Sequence, residues 1–302
     1  MSGHDHHHIS DLGTRRLAWA VAINLLLTAA QVIGGVLSGS LSLVADALHN
    51  FSDAAGLLLA LVARRISKRP ADEQRTFGYG RAEVVGGLIN LTSIMVIAGY
   101  LLIEAINRTF DRPEIDGWMV VIIAGIALVV DAATAVLTFT MSKESVNIKA
   151  AFLHNVADAL ASVAVIITGT LIILFDWYWT DIAATVGISV YIVWISLSPM
   201  KRCIRILMQS VPDHLSVEEI SQSINRVAGV EAVAHLHVWP IDERTTAIEV
   251  RVAMREDAGL GEADDLRRRL RSHLEAEFSI THITIEVLPT GRLENESLIT
   301  PH

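Results

Sequence analysis

A chain of 302 residues that is 52% hydrophobic and 19% charged, with a mean hydropathy of +0.45, is too apolar for an ordinary soluble protein and too charged to lie wholly in a bilayer. Its formal net charge of −9 gathers at the end, with 17 acids against 9 arginines from Pro212 onward, which argues against a nucleic-acid partner. The single cysteine, Cys203, excludes an intramolecular disulfide framework and a cysteine zinc cluster.

The N-terminus, "MSGHDHHHIS", is polar, and no apolar stretch precedes Leu17, so a cleavable signal peptide is not expected. Residues 1–14 read as a His-rich cytoplasmic tail, either a metal-collecting segment or a plain polar leader. Apolar segments then recur at Leu17–Leu37, Leu41–Ala63, Val84–Ile106, Trp118–Phe139, Ala150–Phe175 and Ile182–Ile206. Each is near the ~20 residues that cross a bilayer as a helix. Only Ser38-Gly39-Ser40 separates the first two, which predicts a tight helical hairpin. Residues 15–210 are therefore expected to form a six-helix transmembrane domain.

The basic residues orient it. Arg64, Arg65, Lys68, Arg69, Arg75 and Arg81 follow the second segment, Lys143 and Lys149 the fourth, and Lys201, Arg202 and Arg205 the sixth. The opposite loops are poor in base, which predicts both termini in the cytoplasm. Trp177, Tyr178 and Trp179 suit an interfacial belt on the outer side.

From residue 211 the texture changes. Leu215, Val217, Ile220, Ile224 and Val227 form one helical face. "VEAVAHLHVWPI" and "TTAIEVRVAM" alternate like strands across the turn "DERT". Leu266, Leu270, Leu274 and Phe278 form a second helical face, and "HITIEVL" a third strand. The order α-β-β-α-β predicts an α+β domain over 211–290 with its helices on one face of a sheet. Residues 291–302 read as a flexible tail.

Two apolar helices carry one unusual pattern. "ADALHNFSDAAG" holds His49 and Asp53, and "AAFLHNVADALAS" holds His154 and Asp158. Residues four apart share a helix face. Two such helices facing each other offer two imidazoles and two carboxylates, the number of N/O ligands a tetrahedral zinc ion takes. An isolated Asp in a bilayer costs roughly 2.5–3.5 kcal/mol on insertion scales, and a shared cation offsets that cost. The alternative is paired polar residues bonding between helices. A catalytic zinc is disfavoured, because four protein ligands leave no open position and no HExxH is present.

Asn24, Gln31, Asn90 and Glu104 also interrupt apolar spans and are expected to bond between helices or line a cavity. Asp131 has no partner at ligand spacing and is expected to face a water-filled pathway. In the soluble part, His235 and His237 alternate on one strand, as do His282, Thr284 and Glu286 on the last, with Glu249 on the same sheet face. His235, His237, His282 and Glu286 are candidates for a weak regulatory metal site, with a solvated polar face as the alternative. No GxxxxGK[ST] occurs, so ATP hydrolysis is not indicated.

"GSLSLVADALHNFSDAAGLLLA", "RTFGYGRAEVVGGLIN", "AAFLHNVADALASVAVII", "VAHLHVW" and "ITHITIEV" together make the chain resemble the cation diffusion facilitators. It is most similar to their bacterial zinc-efflux branch, the zinc/proton antiporters. That resemblance covers Arg15 to Pro289. It implies a metal site between the second and fifth helices, made by His49, Asp53, His154 and Asp158. It also implies a cytoplasmic, ferredoxin-like, dimerising C-terminal domain. Two departures stand out. Arg75 and Tyr79 stand with Asp72 where some members place the histidines of a second metal site. Gln209 replaces an acid that would pair with Arg81.

The expectation is a homodimeric, multi-pass protein of the bacterial inner membrane. It is expected to export Zn²⁺ in exchange for protons, with Zn²⁺ as cargo and no cofactor. Cd²⁺, Co²⁺, Fe²⁺, Mn²⁺ and Ni²⁺ are further candidate cargoes of an N/O site. A non-transporting metal sensor and an intramembrane metal-dependent hydrolase are the alternatives.

Overall fold

The computed structural model describes residues 25–111, 113–141, 146–293 and 297–299. The chain divides into two compact units, Met1–Leu59 with Ile89–Pro199, and Ala60–Leu88 with Met200–His302. The His-rich segment and Asn24 lie outside the described residues.

Six helices run from Leu25 to Leu207: α1 (Leu25–Ser38), α2 (Leu41–Ser67), α3 (Ala82–Phe110), α4 (Gly117–Met141), α5 (Val146–Phe175) and α6 (Trp179–Leu207). Among the described residues, four segments are long and apolar enough on their own to cross a membrane: Ala82–Phe110, Gly117–Val136, Asn155–Phe175 and Trp179–Leu207. The described part of α1 is shorter. α2 interrupts its apolar sequence with Ser42, Asp46, His49, Asn50, Ser52 and Asp53, all on the membrane side of Arg64. It also continues past Ala63 to Ser67, because Arg64, Arg65 and Ser67 do not break a helix.

The α1–α2 hairpin turns at Gly39, whose φ of +75° is costly for any residue with a Cβ. Three other elements clamp that turn. Arg108 of α3 donates to the Gly39 carbonyl, Asp116 N donates to Ser38 O, and Asp181 of α6 receives the first amides of α2. Lipid gives no hydrophobic drive between helices, so close backbone approach and buried polar bonds hold this unit. Gly169 on α5 is one such approach. A Cβ there would lie 2.8 Å from a Val121 methyl and 3.1 Å from the Gly117 carbonyl oxygen.

In the second unit, α7 (Val217–Asn225), β1 (Ala232–Pro240), β2 (Thr246–Met254), α8 (Leu260–Phe278) and β3 (His282–Pro289) follow in order. β1 and β2 are antiparallel, and β2 and β3 are parallel across the α8 crossover, in the sheet order β1-β2-β3. Ile220 and Ile224 of α7 and Leu266, Leu270 and Leu274 of α8 pack on Leu236, Val238, Ile248, Val250, Val252 and Ile283. Both helices therefore cover one face of the sheet, as the period-four and period-two patterns require. Ser216 caps α7 by accepting from Glu219 N at 3.4 Å.

Part of the stretch 291–302, expected to be a flexible tail, is held down. Leu293 is buried with Ala234 and Ala253, and the carbonyls of Ser297 and Leu298 accept the His235 and Leu236 amides.

Candidate metal centre

α2 is amphipathic in an unusual sense, because its polar stripe faces inward. Ser42, Asp46, His49 and Asp53 follow at intervals of four, three and four, which is one face of a helix. The first three are buried, and Asp53 is half-buried. The opposite side carries Phe51, Leu58 and Val62, all exposed as lipid-facing residues should be.

α5 brings Asp158 to this stripe. His49 Nε2 lies 3.5 Å from Asp158 Oδ1 and 3.7 Å from Asp53 Oδ2. One ligand atom from each of the three falls within 4.8 Å of the others, a spread that a single ion can bridge. His154 lies one helical turn before Asp158 on α5, and its side chain is outside the described residues. Of the four expected ligands, three converge.

One turn away along α2, a second buried polar set adjoins this cluster. Gln31 Nε2 of α1 donates to Asp46 Oδ2 at 2.7 Å, and Asn50 Nδ2 donates to Gln31 Oε1 at 3.2 Å. Gln31 thus bonds between helices, as expected. Asp46 did not stand out beside the paired His and Asp, although its place in the stripe was visible. Asp131 on α4 accepts a hydrogen bond from Ser162 Oγ of α5 at 3.3 Å, a partner no sequence spacing reveals. Glu104 pairs within its own helix with Arg108 Nε at 3.2 Å rather than between helices, because i,i+4 neighbours meet first. Asn90 lies against Gly56, where a Cβ would come within 2.7 Å of its amide nitrogen.

Among the described residues, the cytoplasmic candidates form no group of three ligand atoms like that at His49. A β-bulge separates Ala234, opposite Arg251, from His237, opposite Glu249. The extra residue leaves His235 at φ +50°, so the simple alternation of His235 and His237 is broken. The two rings instead meet edge to face at 4.6 Å. Glu286 is held by Arg251 Nε at 2.7 Å, and the His282 ring meets the Phe77 ring edge to face at 5.4 Å.

The loop after α2 is ordered by hydrogen bonds. Asp72 accepts from Tyr79 Oη at 2.6 Å and from the amides of Arg75 and Gln74. The Tyr79 hydroxyl, followed by the Arg75 amide, holds the Asp72 carboxyl below its ordinary range, and the same bond raises the Tyr79 phenol. Arg81 makes up for the missing acid at Gln209 by donating to the backbone carbonyls of Ile241 and Pro240 at 2.9 and 3.4 Å.

Residues 17–208 match the family model described as the cation efflux transmembrane domain, and residues 212–290 match the cation efflux protein cytoplasmic domain. The chain is 33% identical over 289 residues to the metal cation efflux system protein CzcD of Cupriavidus metallidurans, covering 94% of this chain and 89% of that one. It is 31% identical over 292 residues to the zinc transporter ZitB of Escherichia coli, covering 94% and 92%. A cadmium, cobalt and zinc/H(+)-K(+) antiporter of Bacillus velezensis is 30% identical over 287 residues, covering 94% and 91%.

Proposed function

Since the chain belongs to the cation efflux family, the cation diffusion facilitators, we propose that it exports Zn²⁺ from the cytoplasm in exchange for protons, by alternating access around His49, Asp53, His154 and Asp158. The family consists of transporters, so an enzymatic reading is set aside. The observation that carries the proposal is the approach of His49 on α2 to Asp158 on α5, at 3.5 Å inside an apolar helical unit.

Two imidazoles and two carboxylates suit Zn²⁺ in number and donor type. Cd²⁺, Co²⁺, Fe²⁺, Mn²⁺ and Ni²⁺ use the same donors less selectively. The ligands sit on two helices, α2 and α5, so rocking of this pair against the other helices opens a fixed site first to one side and then to the other, the usual logic of secondary transporters. Protons compete with metal for the same nitrogens and oxygens, which couples release to protonation.

The basic residues after α2 and α6 support cytoplasmic termini in a bacterial inner membrane. The likeness of the soluble domain to the family's cytoplasmic domain supports a homodimer.

The test is flux of a panel of divalent cations into proteoliposomes with an imposed pH gradient. Zinc flux driven by the gradient is expected. Binding without flux would make the protein a sensor, and flux indifferent to the gradient would remove proton exchange.

A further inference from the structure

Beside the proposed metal centre lies a carboxylate that the centre does not use. Asp46 is 1% exposed, as deeply buried as the apolar side chains around it. Gln31 Nε2 donates to its Oδ2, and its Oδ1 has no hydrogen-bond partner among the described residues. Among the described residues, the charged groups acting on it are His49, Asp131 and Asp158, two acids and one imidazole. No described Lys or Arg pairs with it. A carboxylate this deep in an apolar domain costs several kcal/mol unless a positive charge compensates. One neutral amide compensates only part of that, so the group is satisfied only by taking up a proton or a metal cation.

Its position says which cation and when. α2 opens at the base-poor Ser38-Gly39-Ser40 turn and ends in Arg64 and Arg65. At about 1.5 Å per residue, Asp46 sits about 4.5 Å nearer the outer end than His49. Beyond it on the same face comes Ser42, which binds Asp181. An ion leaving the His49 centre outward along this face therefore meets Asp46 first. Gln31 and Asn50, both buried, fix the carboxylate's orientation through an unbroken chain of two hydrogen bonds.

We propose that Asp46, oriented by Gln31 and Asn50, is a second and transient ligand for the divalent cation, taking it from the His49 centre toward the outer end of α2. The proposal rests on the transport reading above. An oxygen donor from one carboxylate binds zinc less tightly than a set with imidazoles, which suits a station meant to let go. The step is a ligand exchange with no change in oxidation state. One Asp46 oxygen replaces one His49-centre ligand on the ion, and the proton that neutralised the buried Asp46 passes to the freed ligand.

The test uses the full chain, with zinc alone as the probe. Equilibrium zinc binding is measured in detergent and zinc flux in proteoliposomes, for wild type, Asp46→Asn, Asp46→Glu and Asp158→Ala. Asp46→Asn keeps an acceptor for Gln31 and loses the charge. It is expected to bind zinc at the centre within about threefold of wild type, with maximal flux lowered about tenfold and the half-saturating concentration little changed. Asp46→Glu restores the carboxylate and should recover flux to within about threefold. Wild-type flux in Asp46→Asn would overturn the proposal. So would a loss of equilibrium binding equal to that of Asp158→Ala, because Asp46 would then support the centre itself. If Asp46→Asn does not insert, Asp46→Glu decides, since a transit ligand tolerates a longer stem and a packing role at this burial does not. Absence of flux in the wild type would instead fail the transport reading, a different result from any of these.

Discussion

Asp181 on α6 accepts hydrogen bonds from both the hydroxyl and the amide of Ser42 on α2, at 2.6 and 3.2 Å. Its second oxygen takes the Leu41 amide at 2.8 Å, and Ser40 Oγ adds a 2.6 Å bond. One fully buried carboxylate thus satisfies the first amides of a helix whose own sequence supplies no acid in its first turn. The amides' partial positive charge, together with the hydroxyls, stabilises the carboxylate in turn.

Replacing Asp181 with Ala leaves these donors buried and unpaired, each at about 1–3 kcal/mol. The expected outcome is a loss of about 3 kcal/mol or more, seen as a lower unfolding midpoint in detergent and a lower inserted yield. Asp181→Asn keeps one acceptor and should lose less. An Asp181→Ala protein as stable as wild type would show that this network does not hold α2.

Asp158→Ala and Asp53→Ala each remove one proposed zinc ligand without touching the soluble unit. Loss of a ligand is expected to lower zinc affinity by at least about tenfold and to stop flux at low zinc, with insertion unchanged. Calorimetry in detergent reads the first effect and proteoliposome flux the second. Full zinc flux in either well-folded variant would remove the site.

His49→Asp should raise the ratio of cadmium to zinc flux. His49 Nε2 sits between two carboxylates, at 3.5 and 3.7 Å, where a neutral imidazole suits a compact tetrahedral site. A third carboxylate binds through one oxygen or two and admits a larger ion. Competition between the two metals in one flux assay checks this, and an unchanged ratio counts against it.

The loop after α2 has its own pH response. Tyr79 and the Arg75 amide hold the Asp72 carboxyl below its usual value of 3.8. A depressed acid stabilises the fold above its unfolded pKa, and that support is lost as pH falls through the lower folded value. The loop should therefore stay ordered at pH 5 and loosen only below about 4. Tyr79→Phe should move the loss to higher pH. Hydrogen exchange over 70–80 as a function of pH measures both, and identical curves would refute the link.

The architecture was largely legible because apolar runs near twenty residues and a clean period of two or four leave few alternatives. The misreadings have local causes. Asp181 stands just outside the sixth apolar segment, which begins at Ile182, yet it is buried in the first turn of α6 by partners 139 to 141 positions away. The bulge at His235 carries no sequence mark, since nothing in "AHLH" announces a histidine at φ +50°. In the centre, the i,i+4 pairing of His49 with Asp53 was plain and drew attention from Asp46, which extends the same face by one turn. The Gln31 contact that fixes Asp46 comes from another helix, and no spacing encodes it.

The last prediction concerns proton coupling. Zinc takes neutral imidazole and ionised carboxylate, so each proton bound by those groups must leave before the ion enters. An ordinary imidazole titrates near 6.5 and an ordinary aspartate near 3.9. Apparent zinc affinity should fall as pH drops, most steeply where imidazole titrates, with at most about two protons released per zinc if His49 and His154 alone respond. The three described ligand atoms lie within 4.8 Å of one another, so a proton and the ion cannot share the centre without direct repulsion. An inward proton gradient should then drive zinc out of the cytoplasm. Calorimetry in buffers of different ionisation enthalpy counts the protons, and vesicle pH recording follows them during flux. Zero proton release on binding, with flux blind to the gradient, would make the protein a facilitated carrier rather than an antiporter.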